Sequence, residues 1–170
     1  MYAFGTSMPL TGTLTLEGGM HTAKNVTVAK NADVTFASGS YEGATIDGTA
    51  TVKEGVTFAD DATVTVNGTL NAKGGTFTGN VKFNGSSIAN ISGGSFNNEK
   101  KYGGVTFDYN VTGTITGGTF TFADFYTTKV KLSGGTFTTI KTNGDRRLAD
   151  LLAEGAAYYR TVDDQAVTND

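Results

Sequence analysis

The chain repeats one short motif, a Gly-Gly pair followed by Thr or Ser and then Phe. Four copies occur: AKGGTF at 72–77, ISGGSF at 91–96, ITGGTF at 115–120 and LSGGTF at 132–137. Their second glycines are Gly75, Gly94, Gly118 and Gly135, which lie 19, 24 and 17 residues apart. A period near 20 residues is typical of a solenoid, in which one coil cannot bury its apolar face without its neighbours. The repeat therefore predicts a stack of coils.

Apolar residues alternate with threonine through most of the sequence. Triplets such as LTL at 14–16, VTV at 26–28 and VTF at 34–36 continue this alternation upstream, where the glycine pairs fade. A period of two predicts short half-buried strands with threonine outside. Gly and Asn between the triplets suit turns, since both tolerate positive φ. We expect an all-β, single-domain parallel β-solenoid (β-helix) of short irregular coils over 1–143, whose handedness the pattern leaves open.

The motif assigns separate roles to its glycines and its phenylalanine. Gly-Gly lets the backbone turn a tight corner where a Cβ atom would clash. The Phe then points into the core, so that Phe77, Phe96, Phe120 and Phe137 stack from coil to coil at about 4.8 Å per step, the spacing of neighbouring strands. These rings are expected to be core residues rather than a binding site.

The C-terminal part, 144–170, changes period and predicts a cap for the open end of the stack. Leu148, Leu151 and Leu152 have helical spacing, Asp145 is placed to cap the helix N-terminus, and Gly155 is placed to end the helix. We expect a short capping helix at about 145–154, followed by a terminal strand or hairpin.

Composition and charge disfavour several function classes. The chain has 13 basic and 16 acidic residues, a net charge of −3 and no basic block, which disfavours nucleic acid and anionic membrane as partners. It has no cysteine for disulfides or thiolate metal sites. No apolar run approaches the roughly 20 residues of a membrane helix, so we expect no membrane insertion.

Residues suited to catalysis are few and scattered. His21 is the only histidine, and no nucleophile motif accompanies it. The aspartates do not recur at coil spacing, and Asp60 with Asp61 fits a solvated turn better than an acid–base pair. The glycine pairs match neither a phosphate-binding loop nor a dinucleotide fingerprint. We expect no enzyme activity, no cofactor and no metal.

Two stretches interrupt the regular coil and are the predicted binding surface. NNEKKYGG at 97–104 and TFADFYTTK at 121–129 place aromatic residues beside lysines. Exposed aromatic side chains give a large contact area at low entropic cost. The predicted binding residues are Lys100, Lys101, Tyr102, Phe125, Tyr126 and Lys129. The alternative is that these aromatics only cover a coil end or corner.

The run LSGGTFTTIKTNGDRRLADLLAEGAAYY at 132–159 carries a family resemblance. It resembles the repeat-and-cap segment of large surface proteins of Gram-positive gut commensals, among which are immunoglobulin-binding B-cell superantigens. The resemblance implies a monomeric, non-enzymatic adhesin-like module, excised from a larger protein displayed outside the cell. It also implies a host protein partner, with the immunoglobulin variable domain as the leading expectation. A glycan-binding or glycan-active β-helix and a structural spacer are the alternatives.

Overall fold

Every registered pair of strands in the structure is parallel, and the chain forms a β-solenoid, which confirms the predicted fold class. The computed structural model describes residues 2–4, 8–17, 21–23, 25–59, 62–98 and 104–158. Within these ranges no helix is long and apolar enough to cross a membrane. The strands are β1 Tyr2–Phe4, β2 Met8–Leu10, β3 Thr13–Leu16, β4 His21–Ala23, β5 Val26–Val28, β6 Asp33–Tyr41, β7 Ala44–Ile46, β8 Thr49–Phe58, β9 Thr63–Val66, β10 Thr69–Phe77, β11 Asn80–Phe83, β12 Ile88–Phe96, β13 Val105–Phe107, β14 Thr112–Ile115, β15 Thr119–Phe125, β16 Val130–Leu132 and β17 Thr136–Thr142.

Three columns of parallel strands form the sides of the solenoid. Face I stacks β2, β5, β7, β9, β11, β13 and the second parts of β15 and β17. Face II stacks β3, the first parts of β6, β8, β10 and β12, then β14 and β16. Face III stacks β1, β4, the second parts of β6, β8, β10 and β12, and the first parts of β15 and β17. The chain visits face I, face II and face III in each coil.

The core contains two ladders of aromatic rings. On face III the rings of Phe77, Phe96, Phe120 and Phe137 stack at centroid distances of 4.5, 4.7 and 4.6 Å, as predicted. Phe58 and Tyr41 extend this ladder upstream. A second ladder, on face I, joins Phe83, Phe107 and Phe125 at 5.1 and 4.6 Å. Because the strands are in register, each ring lies above the ring of the preceding coil.

The glycine pairs form the corner between face II and face III. Gly94 has φ +100°, and a Cβ atom at this position would lie 2.7 Å from the carbonyl oxygen of Gly74 in the preceding coil. Gly75, Gly118 and Gly135 also have positive φ. The corner role predicted for the repeat is confirmed, since a side chain there would separate neighbouring coils.

The C-terminal cap is smaller than the predicted helix. Within the described part of the cap, only Leu148–Leu151 is helical, as one turn of 3₁₀-helix, so a short capping element is present but the bounds 145–154 and the start at Asp145 are wrong. Asp150 accepts a hydrogen bond from the Arg147 backbone N–H at 2.9 Å, which places the N-cap at Arg147. The helix stops because Leu152 is extended and pairs in parallel with Leu132 of β16. The expected terminal strand or hairpin falls largely on 159–170, outside the described residues.

Candidate protein-binding surface

The predicted site residues have separate fates in the structure. Lys100, Lys101 and Tyr102 lie outside the described residues. Phe125 is fully buried in the face I ladder, with its ring centroid 4.6 Å from that of Phe107. It therefore offers no surface to a partner, and the expectation that it anchors one is corrected. Tyr126 is half-buried and Lys129 is exposed, so at least one of the adjacent aromatics does face outward, as expected.

The described parts of the two predicted stretches meet at the start of face I, where a Cβ atom on Gly104 would lie 2.3 Å from the carbonyl oxygen of Phe122, but they do not meet at Tyr126. Gly104, the last residue of the first stretch, precedes β13 and lies at the start of face I. Tyr126 follows β15 at the end of face I, since β13 and β15 pair with Phe107 beside Phe125. Tyr126 and Lys129 are thus separated from Gly104 by the width of face I.

A column of turn residues forms the corner between face I and face II. The first residue after each face I strand donates its backbone N–H to the last strand residue of the preceding coil, as Asn84 does to Val66 and Tyr126 does to Phe107. Early coils place short polar side chains there: Asn67 donates to Asp47 at 2.7 Å, and Asn84 donates to Asn67 at 3.1 Å. In later coils this column holds Asp108, Tyr126 and Asn143, and aromatic and basic side chains lie beside it.

These later side chains form a surface that we name the tyrosine patch: Tyr109, Asn110, Tyr126, Lys129 and Arg146. Tyr109 is 59% exposed, and its ring centroid lies 5.5 Å from that of Tyr126. The Arg146 guanidinium carbon lies 5.4 Å from the Tyr109 ring centroid, a cation–π arrangement. Lys129 donates to the Asn110 side-chain oxygen at 3.4 Å. Three successive coils therefore contribute to one aromatic and basic surface.

The turns that carry the tyrosine patch are fixed by hydrogen bonds. The Tyr109 backbone N–H donates to the Asp108 carboxylate at 2.8 Å. Thr127 donates its hydroxyl to the Val111 carbonyl at 3.0 Å and accepts from the Lys129 backbone N–H at 3.1 Å. Arg146 donates to the Asn143 carbonyl. The patch is thus held in shape before any partner arrives, which lowers the entropic cost of binding.

A buried carboxylate on β15 has a structural role. Asp124 is 8% exposed and accepts a hydrogen bond from the Asn143 side-chain amide. The Lys141 ammonium lies 3.5 Å from its other oxygen. Both carboxylate oxygens therefore have partners, and the pair ties β17 to β15. The described residues contain no group of three or more His, Cys, Asp or Glu side chains that could hold a metal ion.

Sequence reasoning missed Tyr109 and Arg146. Tyr109 stands in an Asp-Tyr-Asn turn and precedes Tyr126 by 17 residues, whereas the local coil step is 18 residues, since Phe107 pairs with Phe125. Tyr126 is therefore in register with Asp108 rather than with Tyr109, and a spacing within one residue of the local step was the available signal for the ring contact. Arg146 carried no comparable signal, because its place over the Tyr109 ring depends on how the chain turns after β17.

Comparisons with protein-family models, with curated proteins and with solved structures find no match to this chain.

Proposed function

We propose that this chain is a non-catalytic binding module of a bacterial surface protein, and that it holds a host protein through the tyrosine patch. The observation that carries the proposal is the 59% exposed ring of Tyr109, packed between Tyr126 and Arg146 on a turn fixed by hydrogen bonds. Tyr and Arg are the residue types that most often dominate the free energy of protein–protein binding. A module of this kind acts as a monomer outside the cell.

The charges of the patch favour a particular kind of partner surface. Lys129 and Arg146 add two cations to the patch, whereas the Asp124 carboxylate of β15 is paired with Asn143 and Lys141. A partner with an acidic or carbonyl-rich rim around an apolar centre would complement this arrangement. We take a flat framework surface of an immunoglobulin variable domain as this partner, because the sequence resemblance points to it.

The test measures binding of the purified chain to a panel of human immunoglobulins and their Fab fragments, grouped by variable-gene family, with a glycan array run alongside. We expect binding that follows variable family irrespective of antigen specificity. Tyr109→Ala and Tyr126→Ala should each weaken binding at least about tenfold, which corresponds to 1.4 kcal/mol. Lys53→Ala, an exposed change at a distant corner, is the matched control and should bind normally.

Two outcomes would count against the proposal in different ways. If the chain binds none of the immunoglobulins in the panel, the variable domain is not its partner. Binding that survives both tyrosine substitutions would keep the partner and move the contact surface away from the tyrosine patch.

A further inference from the structure

Face II carries a second surface with different chemistry, a shallow cleft on the side of the stack that is lined mainly by polar residue types. Its lining residues are Asn71, Lys73, Asn90, Ile91, Ser92, Thr114 and Thr116, and its volume is about 110 Å³. Enclosed sites for small molecules usually measure about 300–1,000 Å³. The cleft is too small to enclose a ligand, so any ligand must lie along it.

The strand register aligns the cleft with the solenoid axis. Asn71 pairs with Asn90, and Asn90 pairs with Thr114, so three successive coils present outward polar groups in one line. Neighbouring strands repeat at about 4.8 Å, and the cleft therefore offers similar hydrogen-bonding groups at regular intervals. A matching ligand repeats its own polar groups along a chain.

The hydrogen-bonding groups of the cleft are partly free within the described residues. The Asn90 amide donates to the Asn71 side-chain oxygen at 3.0 Å, which fixes both side chains and leaves the Asn71 amide N–H groups and the Asn90 oxygen without a protein partner there. Beside the cleft, Ile88 is 39% exposed and lies between Thr69 and Thr112 in register. Fixed amides and hydroxyls next to a small apolar surface suit a sugar, which has hydroxyl edges and C–H faces.

Charge narrows the sugar class. Lys73 is the one charged residue in the cleft lining, and its ammonium has no ion-pair partner among the described residues. No Asp or Glu lines the cleft. An ammonium without a paired carboxylate complements an anionic ligand.

We propose that the face II cleft binds a polysaccharide bearing carboxylate groups, a uronic-acid glycan, that lies across successive coils. Lys73 pairs with a sugar carboxylate, while Asn71, Asn90 and Ser92 bond to hydroxyl groups of neighbouring units. This binding uses residues separate from those of the tyrosine patch, which lies at the corner between face I and face II.

The probe is a set of oligogalacturonates of three to six units, titrated into the full chain by calorimetry, with neutral gluco-oligosaccharides of equal length for comparison. We expect binding of the uronates that weakens as salt is raised and exceeds binding of the neutral sugars at least about tenfold. Lys73→Gln should abolish that preference, and Asn90→Ala should weaken binding at least about tenfold.

Two controls keep this result separate from the protein-binding proposal. Lys82→Gln removes an exposed lysine from face I and should leave uronate binding unchanged, as should Tyr109→Ala. Absence of uronate binding, equal binding of neutral and acidic sugars, or uronate binding unaffected by Lys73→Gln and Asn90→Ala would each overturn the proposal. Thermal unfolding of every variant shows that a loss of binding is not a loss of fold.

Discussion

The phenyl ring of Phe77 lies face to face with that of Phe96, with 4.5 Å between centroids and 5° between planes. The two residues are direct partners in the parallel register of β10 and β12. Each inner ring of the ladder thus contacts rings on both sides, whereas Phe137 is the last described ring and is only partly buried. The stability of a coil depends mainly on its immediate neighbours.

Substitutions along the ladder test this dependence on neighbours. Phe96→Ala should lower the free energy of unfolding by about 3–5 kcal/mol, because it leaves a cavity between two stacked rings. Phe137→Ala should lower the free energy of unfolding by clearly less, since Phe137 stacks on one described ring and is partly exposed. Denaturant unfolding followed by circular dichroism measures both, and equal costs would contradict the stacked arrangement.

Alanine substitutions at the adjacent residues Phe125 and Tyr126 should have different effects on the stability of the fold. Phe125→Ala should destabilise the chain by about 3–5 kcal/mol, because its ring is buried against Phe107. Tyr126→Ala should leave stability within about 1 kcal/mol, since its ring is half-buried at a corner. A combined thermal unfolding and immunoglobulin binding measurement separates core from contact surface. Retained stability in Phe125→Ala would contradict the structure.

Corner glycines differ in how much room they leave for a side chain. Gly94→Ala should be strongly destabilising, because φ is +100° and the new Cβ would lie 2.7 Å from the Gly74 carbonyl oxygen. Gly85→Ala is the matched control: φ is +53° and no atom lies within 4 Å of the new Cβ. Gly85→Ala should lower the free energy of unfolding by about 1–2 kcal/mol. Gly94→Ala should lower it by about 2 kcal/mol more. Similar unfolding midpoints would argue against close packing of the corner.

Alkaline pH should weaken the fold through a buried phenol. Burial raises the pKa of Tyr41 from 10.0 to about 12, so the unfolded chain loses this proton at lower pH than the folded chain. The contribution of Tyr41 to stability is therefore complete below pH 10 and disappears as pH rises towards 12. Burial raises the pKa of Tyr158 to about 12 as well. Urea unfolding measured between pH 9 and 12 should show that the free energy of unfolding falls as pH rises, and that it falls less steeply in Tyr41→Phe. An equally steep fall in Tyr41→Phe would contradict the prediction.

Local signals were enough to predict the coil architecture. Gly94 and Phe96 have counterparts in the neighbouring coils at spacings of 19 and 24 residues, and each spacing reports a contact between adjacent coils. Solenoid contacts link residues about one period apart, so a periodic sequence contains most of the information about its own packing.

The candidate site and the cap depended on geometry that the repeat does not encode. Phe125 and Tyr126 both looked available, and only the face I ladder decided which ring turned inward. The helical leucine spacing at Leu148, Leu151 and Leu152 was real, but pairing of Leu152 with Leu132 took precedence over a longer helix. Tertiary contacts, here the pairing with a neighbouring strand, override the local helix propensity.

The register of the parallel strands also bears on how such a chain changes in length. Ala72 lies beside Ile91 of the next coil. Deleting residues 72–90 would therefore bring Ile91 into the position of Ala72 and shorten the stack by one coil. Duplicating the same segment would add one coil that already contains the glycine corner, the phenylalanine ring and the outward polar groups. Whole coils can therefore be gained or lost by recombination within the gene, and the distance between the two ends of the stack can vary while its cross-section stays the same.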